Sequence, residues 1–483
     1  MTREVTCEVT CELAGRRPAQ SVRGAQSVRG AQSAAIPRRT PSRCGRSLSP
    51  VVRVLAVLAV AAALAVAPAC LAAQDPARGV RIGLSYAPGT KPGVIVAPVA
   101  GPSGDSLQAI LQRDLDFGDR VAVVTGAGVL SAGSSTGAVP NYALLGKLGA
   151  AALVVCEPLG GGRVRVTVHD VGAQRTIESR ESVVAASPPG RAWRLSVHRL
   201  ADEIERTITG TAGVAASRIA YVKGGRVWVI DSDGATTEAV SDGSALSPAW
   251  RPDGGALALS TMGDAGSRIV VKDLATGKAR VLAATPAGLN ITPAFVPGGE
   301  TIVYAHGRED GTDLWAAHAG DDEPARRVTV GRGSDNTSPT ISPDGQRVAF
   351  TSGRSGRPEV YISDLDGTNV ELLSDFAFDE QNYRAGPDWS PDGRAIAFQM
   401  RVDGVFQLAV ISLRDRAVKV LTSDGKNEDP SWAPDGRHLV FTSNRSGAAE
   451  LFVIDVETGR VRQLTHDRGA RLAAWSPRLA ASR

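Results

Sequence analysis

The stretch Trp389-Ser390-Pro391-Asp392-Gly393 recurs in near copies towards the C-terminus, and that recurrence decides the fold. Its relatives are Trp250-Arg251-Pro252-Asp253-Gly254, Phe295-Val296-Pro297-Gly298-Gly299, Ile341-Ser342-Pro343-Asp344-Gly345 and Trp432-Ala433-Pro434-Asp435-Gly436. A shortened copy is Trp475-Ser476-Pro477. The prolines stand at 252, 297, 343, 391, 434 and 477, a period of 43 to 48 residues. A fixed period of this size belongs to solenoids and propellers.

The residues after each anchor separate the two. An alternating apolar run comes first, as in 395–400 or 438–443, then a polar turn and a second run, as in 359–364 or 450–455. A third run closes the unit, as in 370–373 or 461–464. Period-2 alternation rich in Val, Ile, Phe and Tyr, punctuated by Gly and Asp, predicts half-buried antiparallel strands. With the apolar stretch before Pro-Asp-Gly, each unit has four strands, the content of a propeller blade. Pro presets φ at the first turn position, and Asp and Gly tolerate the backbone angles that come next. The preceding aromatic is expected to pack between blades, so the Trp and Asp of the anchor read as scaffold.

Six anchors begin six blades, but the last lies eight residues from Arg483. Its missing strands are found ahead of the first anchor, at 218–223, 226–231 and 236–240. The final strand is therefore expected to complete a blade begun at residue 218, closing the ring without an open sheet edge. The fold class expected is multidomain: a small N-terminal α/β domain, then an all-β six-bladed propeller closed by its terminal strand.

The chain has 483 residues, room for two or three domains. Residues 1–73 form a leader with its own composition. Their ten Arg and three Glu contribute +7 to the formal net charge of +4, leaving −3 for the remainder. A slightly acidic remainder gives no electrostatic case for nucleic-acid binding. The apolar run 54–67 comes after Arg53 and precedes Leu71-Ala72-Ala73, the pattern of a secretory signal with cleavage after Ala73. Four of the five cysteines precede that cut, and Cys156 is expected to be a small apolar core residue.

Residues 74–212 read as an α/β domain. Strands are expected at 94–99, 120–124, 151–156, 163–170 and 176–184, and helices at 105–114, 142–148 and 192–208. A short linker at 210–216 leads to the propeller at 217–483.

No motif makes a convincing case for catalysis. Gly133-Ser134-Ser135-Thr136-Gly137 fits the nucleophile-elbow pattern but lies in a Gly/Ser loop rather than between strand and helix. Asp231-Ser232-Asp233-Gly234 and Asp364-Leu365-Asp366-Gly367 lack the remaining ligands of a calcium loop and fall where hairpin turns are needed. No catalytic residue, metal ligand or cofactor is expected. Binding remains. The loops leading into the innermost strands are polar and varied, and they hold Asn290, Thr292, Asp335, Asn336, Thr337, Asn382, Tyr383, Asn427 and Glu428. Polar loops on a rigid ring make a common recognition surface.

The order of parts resembles the TolB family, the periplasmic propeller component of the Tol–Pal system, over residues 79–483. Val80-Arg81-Ile82 resembles the family's mature N-terminal segment, Arg218-Ile219-Ala220-Tyr221-Val222 its first propeller strand and Ala474-Trp475-Ser476-Pro477 its closing one. The resemblance implies a non-enzymatic, monomeric adaptor of the cell envelope. Its propeller face would bind a Pal-like peptidoglycan-associated lipoprotein through the loops holding Asn290, Thr292, Asn336 and Thr337. Val80, Arg81 and Ile82 would engage a TolA-like inner-membrane protein. Two other readings are a TolB-like propeller with a sugar or peptide in its channel, and a peptidase-associated propeller. The latter needs a hydrolase domain that this sequence does not supply after the ring.

Overall fold

The computed structural model describes residues 84, 90–126, 139–184, 190–264, 266–284, 288–320, 323–330, 334–373 and 383–480. The first layer is a five-stranded sheet of β1 (Gly93–Val96), β2 (Ala122–Val123), β3 (Ala152–Gly160), β4 (Arg163–Asp170) and β5 (Arg175–Val183), in the order β2-β1-β3-β4-β5. β1 runs parallel to β2 and β3, and β3, β4 and β5 are antiparallel.

Alternation along the strands sorts the core to both sides. Val94, Val96, Ala152 and Val154 pack with helices α1 (Gly104–Phe117) and α3 (Arg191–Thr209), whereas Ile95 and Leu153 pack with Leu145 of α2 (Tyr142–Lys147). Asn141 caps α2 by accepting the Leu144 N–H at 3.1 Å. Gly93 allows the β1–β3 approach, since a Cβ there would lie 2.0 Å from the Gly149 carbonyl oxygen. Cys156 is buried in this core, and burial pushes its thiol up to about 12. β3 runs four residues past its expected end at 156. β1 has dropped away by then, so β3 is an edge that tolerates Pro158 while β4 still pairs with it through a bulge.

Beyond this layer the chain forms six four-stranded antiparallel sheets, the blades of a propeller. Blade 1 combines Arg471–Trp475 with Arg218–Lys223, Arg226–Asp231 and Thr237–Ala239. Blades 2 to 6 begin with the innermost strands Ala245–Trp250, Leu289–Phe295, Asn336–Ile341, Arg384–Trp389 and Asn427–Trp432. These innermost strands neighbour one another in a closed cycle. The closure expected from the blade count is present, with Trp475 opposite Ile219 and Arg471 opposite Val222.

The repeated turn does the expected work. In blade 5 the Ser390 hydroxyl donates to Asp392 Oδ1 at 2.6 Å, Arg394 N–H donates to the same oxygen at 3.0 Å, and Gly393 has φ 74°. In blade 3, where Gly298 replaces Asp, two successive glycines at φ 107° and 80° turn the chain instead. The anchor tryptophans reach between blades: Trp250 Nε1–H donates to the Ala474 carbonyl at 2.9 Å, and Trp432 Nε1–H to that of Asp388 at 3.2 Å.

Trp475 is buried in the closing blade and donates to the Ser217 hydroxyl at 2.8 Å. Trp475→Ala should cost about 3–5 kcal/mol, read as a lower denaturation midpoint in equilibrium urea unfolding. A loss under about 1 kcal/mol would mean that the clasp contributes little to the ring.

Candidate functional site

The six innermost strands share a pattern that periodicity alone hides. Asn290, Asn336, Arg384 and Asn427 occupy one position. At the position two residues on stand Ser247, Thr292, Ser338, Gly386, Asp429 and Leu472, all left-handed with φ between 46° and 60°. The next residue is proline in five blades: Pro248, Pro293, Pro339, Pro387 and Pro430. The strand register shifts at this point in every blade. A left-handed residue followed by one without an N–H makes a bulge, bending the strand and re-aiming its side chains.

Re-aimed side chains then bond across blade boundaries. Trp389 N–H donates to Thr340 Oγ1 at 3.2 Å, Trp432 N–H to Asp388 Oδ2 at 2.6 Å and Trp475 N–H to Ser431 Oγ at 3.1 Å. Ser338 N–H donates to Thr292 Oγ1 at 3.1 Å, and Asp429 N–H to Gln399 Oε1 at 2.9 Å. Two carboxyls are caught in this ring. Burial pushes Asp388 up to about 6, against hydrogen bonds from Trp432, Ser431 and Thr340. Burial, with repulsion from Glu428, also pushes Asp429 up to about 6.

The described residues of the loops expected to bind a partner lie at the end of the ring where innermost strands begin. Asn290, Asn336 and Asn427, read from sequence as loop residues, are fully buried there. Asn336 Nδ2–H donates to Asp313 Oδ1 at 3.1 Å and its Oδ1 accepts from Arg354 Nη2 at 3.2 Å. Asn427 repeats the arrangement, donating to Gln407 Oε1 and accepting from Arg445 Nη2, each at 2.8 Å. Arg354 lies over Phe350 and Tyr361, and Arg445 over Phe441 and Phe452, at 4.8–5.3 Å. Asn290 meets His306 Nδ1 at 2.9 Å. These amides hold the loops from beneath. Asp335 is exposed, and Thr292, Thr337, Tyr383 and Glu428 are half-buried. Tyr383 stands edge-on to Phe406 at 5.1 Å, and Glu428 pairs with Lys426 at 3.0 Å. Asn382, Val80, Arg81, Ile82 and the Gly133–Gly137 stretch lie outside the described residues.

The two Asp-rich turns behave as hairpin turns. Asp366 Oδ1 accepts the Thr368 N–H at 2.9 Å, and Asp233 Oδ1 accepts that of Ala235 at 2.9 Å. Among the described residues, two groups bring three carboxylate or imidazole side chains within 4.8 Å of one another: Asp114, His198 and Asp233, and Asp119, His438 and Asp455. Arginines already balance them. Arg113 and Arg194 pair with Asp233, Arg460 and Arg462 with Asp119, and Arg437 with Asp455.

Residues 205–479 match the family described as the TolB beta propeller domain. The chain belongs to the TolB β-propeller family. It is 34% identical over 190 residues to the Tol-Pal system protein TolB of Bordetella pertussis, covering 38% of this chain and 43% of that one. It is 33% identical over 202 residues to the protein of the same description from Polaromonas naphthalenivorans, covering 39% and 46%. The chain thus spans less than half the length of these curated relatives. The crystal structure of TolB from Acinetobacter baumannii superposes with a TM-score of 0.68 at 23% identity, over 80% of this chain and 97% of that one, and so shares the fold. The TolB-like expectation for the propeller and its N-terminal layer is met.

A carboxyl whose pKa rises on folding adds stability below its ordinary value near 3.8, and that contribution is lost as pH rises through about 6. Unfolding free energy should therefore fall between about pH 4 and pH 7, by on the order of 1–2 kcal/mol per carboxyl after allowance for partial exposure. The Asp388→Asn, Asp429→Asn double variant should flatten this part of the profile. An unchanged slope would place the carboxyls in water.

Proposed function

We propose that this protein is a non-enzymatic periplasmic adaptor of the Tol–Pal system. Its loop face binds a Pal-like peptidoglycan-associated lipoprotein, and the segment holding Val80, Arg81 and Ile82 engages a TolA-like inner-membrane protein as an added strand. In this role it supports outer-membrane integrity and cell division as a monomer, without cofactor or nucleic acid.

The observation that carries the reading is the asymmetry of the ring. The end bearing the Pro-Asp-Gly turns of blade 6 and the outer hairpin of blade 1 is engaged by the α/β layer, through Arg120–Asp435 at 3.3 Å and Arg194–Asp233. The opposite end carries Asp335, Thr337, Tyr383 and Glu428 on loops braced by the buried Asn336 and Asn427 and the half-buried Arg354 and Arg445. A rigid support beneath variable polar loops suits recognition of a folded partner. Among the described residues no helix is long and apolar enough to cross a membrane.

The test is a titration of the soluble domain of a Pal-like lipoprotein. The Thr337→Arg, Glu428→Arg double variant adds bulk and reverses charge on the loop face without touching the Asn336 or Asn427 supports. It should weaken binding by about tenfold or more, roughly 1.4 kcal/mol, with an unchanged unfolding temperature. Full affinity with normal folding would move the site off this face.

A further inference from the structure

The two domains own separate apolar cores, and the surface between them is built from charge. The clusters around β1, β3, α1 and α3 draw on the α/β layer with Ala215 of the linker, and Phe117 and Val214 are what the propeller core takes in from outside its blades. A joint with so little apolar area relies on its ion pairs.

Two histidines stand in this joint in reciprocal arrangement. His198, on α3 of the α/β layer, has Nδ1 2.7 Å from Asp114 Oδ2 of its own domain and Nε2 3.6 Å from Asp233 Oδ2 of blade 1. His438, in blade 6, has Nδ1 2.8 Å from Asp435 Oδ2 of its own turn and Nε2 3.8 Å from Asp119 Oδ2 of the α/β layer. Each domain inserts one buried imidazole between its own carboxylate and one of the other domain's. Both Nε2 atoms are buried and make no hydrogen bond, facing the opposing carboxylate across a short gap. Phe117 stacks on His438 with ring centres 5.9 Å apart, shielding it from water.

We infer that these two imidazolium groups latch the α/β layer to the propeller, and that neutralising them frees the domains from one another while each stays folded. Only a charged ring presents an N–H from each nitrogen, one bonded to its own domain's carboxylate and the other aimed at the opposing one. Burial opposes the charge on His438, but Asp119 and Asp435 outweigh it and push the group up to about 9. Burial likewise opposes charge on His198, and Asp114 and Asp233 outweigh both it and Arg194. Asp119 itself is held well below the usual carboxylate range: burial opposes ionisation, and His438, Arg462 and Arg460 overcome it.

These shifts fix the sign of the pH effect. A histidine raised on docking contributes fully below about 6.5 and loses its contribution as pH climbs to about 9. Other groups face the same joint. Arg120 and Glu205 flank Asp435, Arg437 and Asp455 lie beside His438, and Arg113, Arg194 and Asp231 surround Asp233. Glu205, pushed up to about 8 by burial, and Asp202, pushed up to about 7 by burial, weaken docking over the same range, so wild-type pH dependence alone does not identify the histidines. Substitution does.

Hydrogen–deuterium exchange on the full chain, corrected for intrinsic base catalysis, separates opening of the joint from unfolding. Peptides covering 113–122 and 432–438 report the joint; those covering 152–156 and 394–400 report the two cores. The His198→Gln, His438→Gln double variant at about pH 7 should exchange about tenfold or more faster at the joint, with the cores unchanged. Wild type should reach the same state between about pH 7 and pH 9.5. Asp119→Asn, which keeps a residue tolerant of the φ of 55° found there, should open the blade 6 side alone. The latch is refuted if the double variant keeps wild-type protection at neutral pH, if joint and core peptides lose protection together, or if wild type shows no selective opening up to about pH 10.

Discussion

Six sheets arranged about one axis share a geometric constraint: their innermost strands converge, and each must stop pairing on its inner side while remaining tied to its neighbours. Here a left-handed residue followed by proline satisfies both demands. Proline brings no N–H to a place where no strand can accept one. The bulge it accompanies turns the next side chains sideways, so Thr340, Asp388 and Ser431 reach the following blade's backbone. Leu472-Ala473 in blade 1 keeps the left-handed residue and drops the proline. The bend therefore arises from the backbone angle, and proline reinforces it.

Adhesion within the ring and adhesion to the ring are of different kinds. Blades meet through anchor aromatics such as Trp250, Trp389 and Trp432, whose buried apolar surface attracts without direction and is not screened by salt. The α/β layer meets blades 1 and 6 through carboxylates, guanidiniums and imidazoles. Buried charge is costly to desolvate and stabilises only when its partners are correctly placed. A joint made this way favours one orientation strongly and is sensitive to any change in charge. The Asp202 carboxylate, accepting the Ala215 and Ala216 N–H groups at 2.7 and 2.9 Å, extends the same chemistry to the covalent link itself.

The fold was legible because it is written in local, repeated signals. Period-2 runs marked the strands, Pro-Asp-Gly marked the turns, and a surplus of strands at 218–240 against a deficit after Trp475 revealed the clasp. The face was only partly legible. Asn290, Asn336 and Asn427 look like loop residues because they are polar and precede a strand. The bulge two residues later decides that their side chains turn inward, and a one-residue shift in register exchanges the two faces of a strand. The Asn-x-x-Pro spacing around positions 290, 336 and 427 was a signal that could have shown it, read across blades rather than along one. The joint had no local signal at all. Asp119 and Arg460 bond at 2.7 Å across 341 positions of sequence, and no periodicity encodes such a pair.

The clasp in blade 1 also sets an order of events. Residues 218–223 have no inner neighbour until residues 471–475 arrive, about 250 positions later. A chain that emerges progressively from a ribosome or a translocation pore pairs that strand at once with residues 226–231 but must hold its inner edge open while five further blades are made. Loop-closure entropy makes so distant a pairing slow. An unpaired strand edge is also a place where chains associate wrongly. The strand that closes the finished ring thus comes late in its assembly, with residues 471–475 completing blade 1 only after the five other blades have been made.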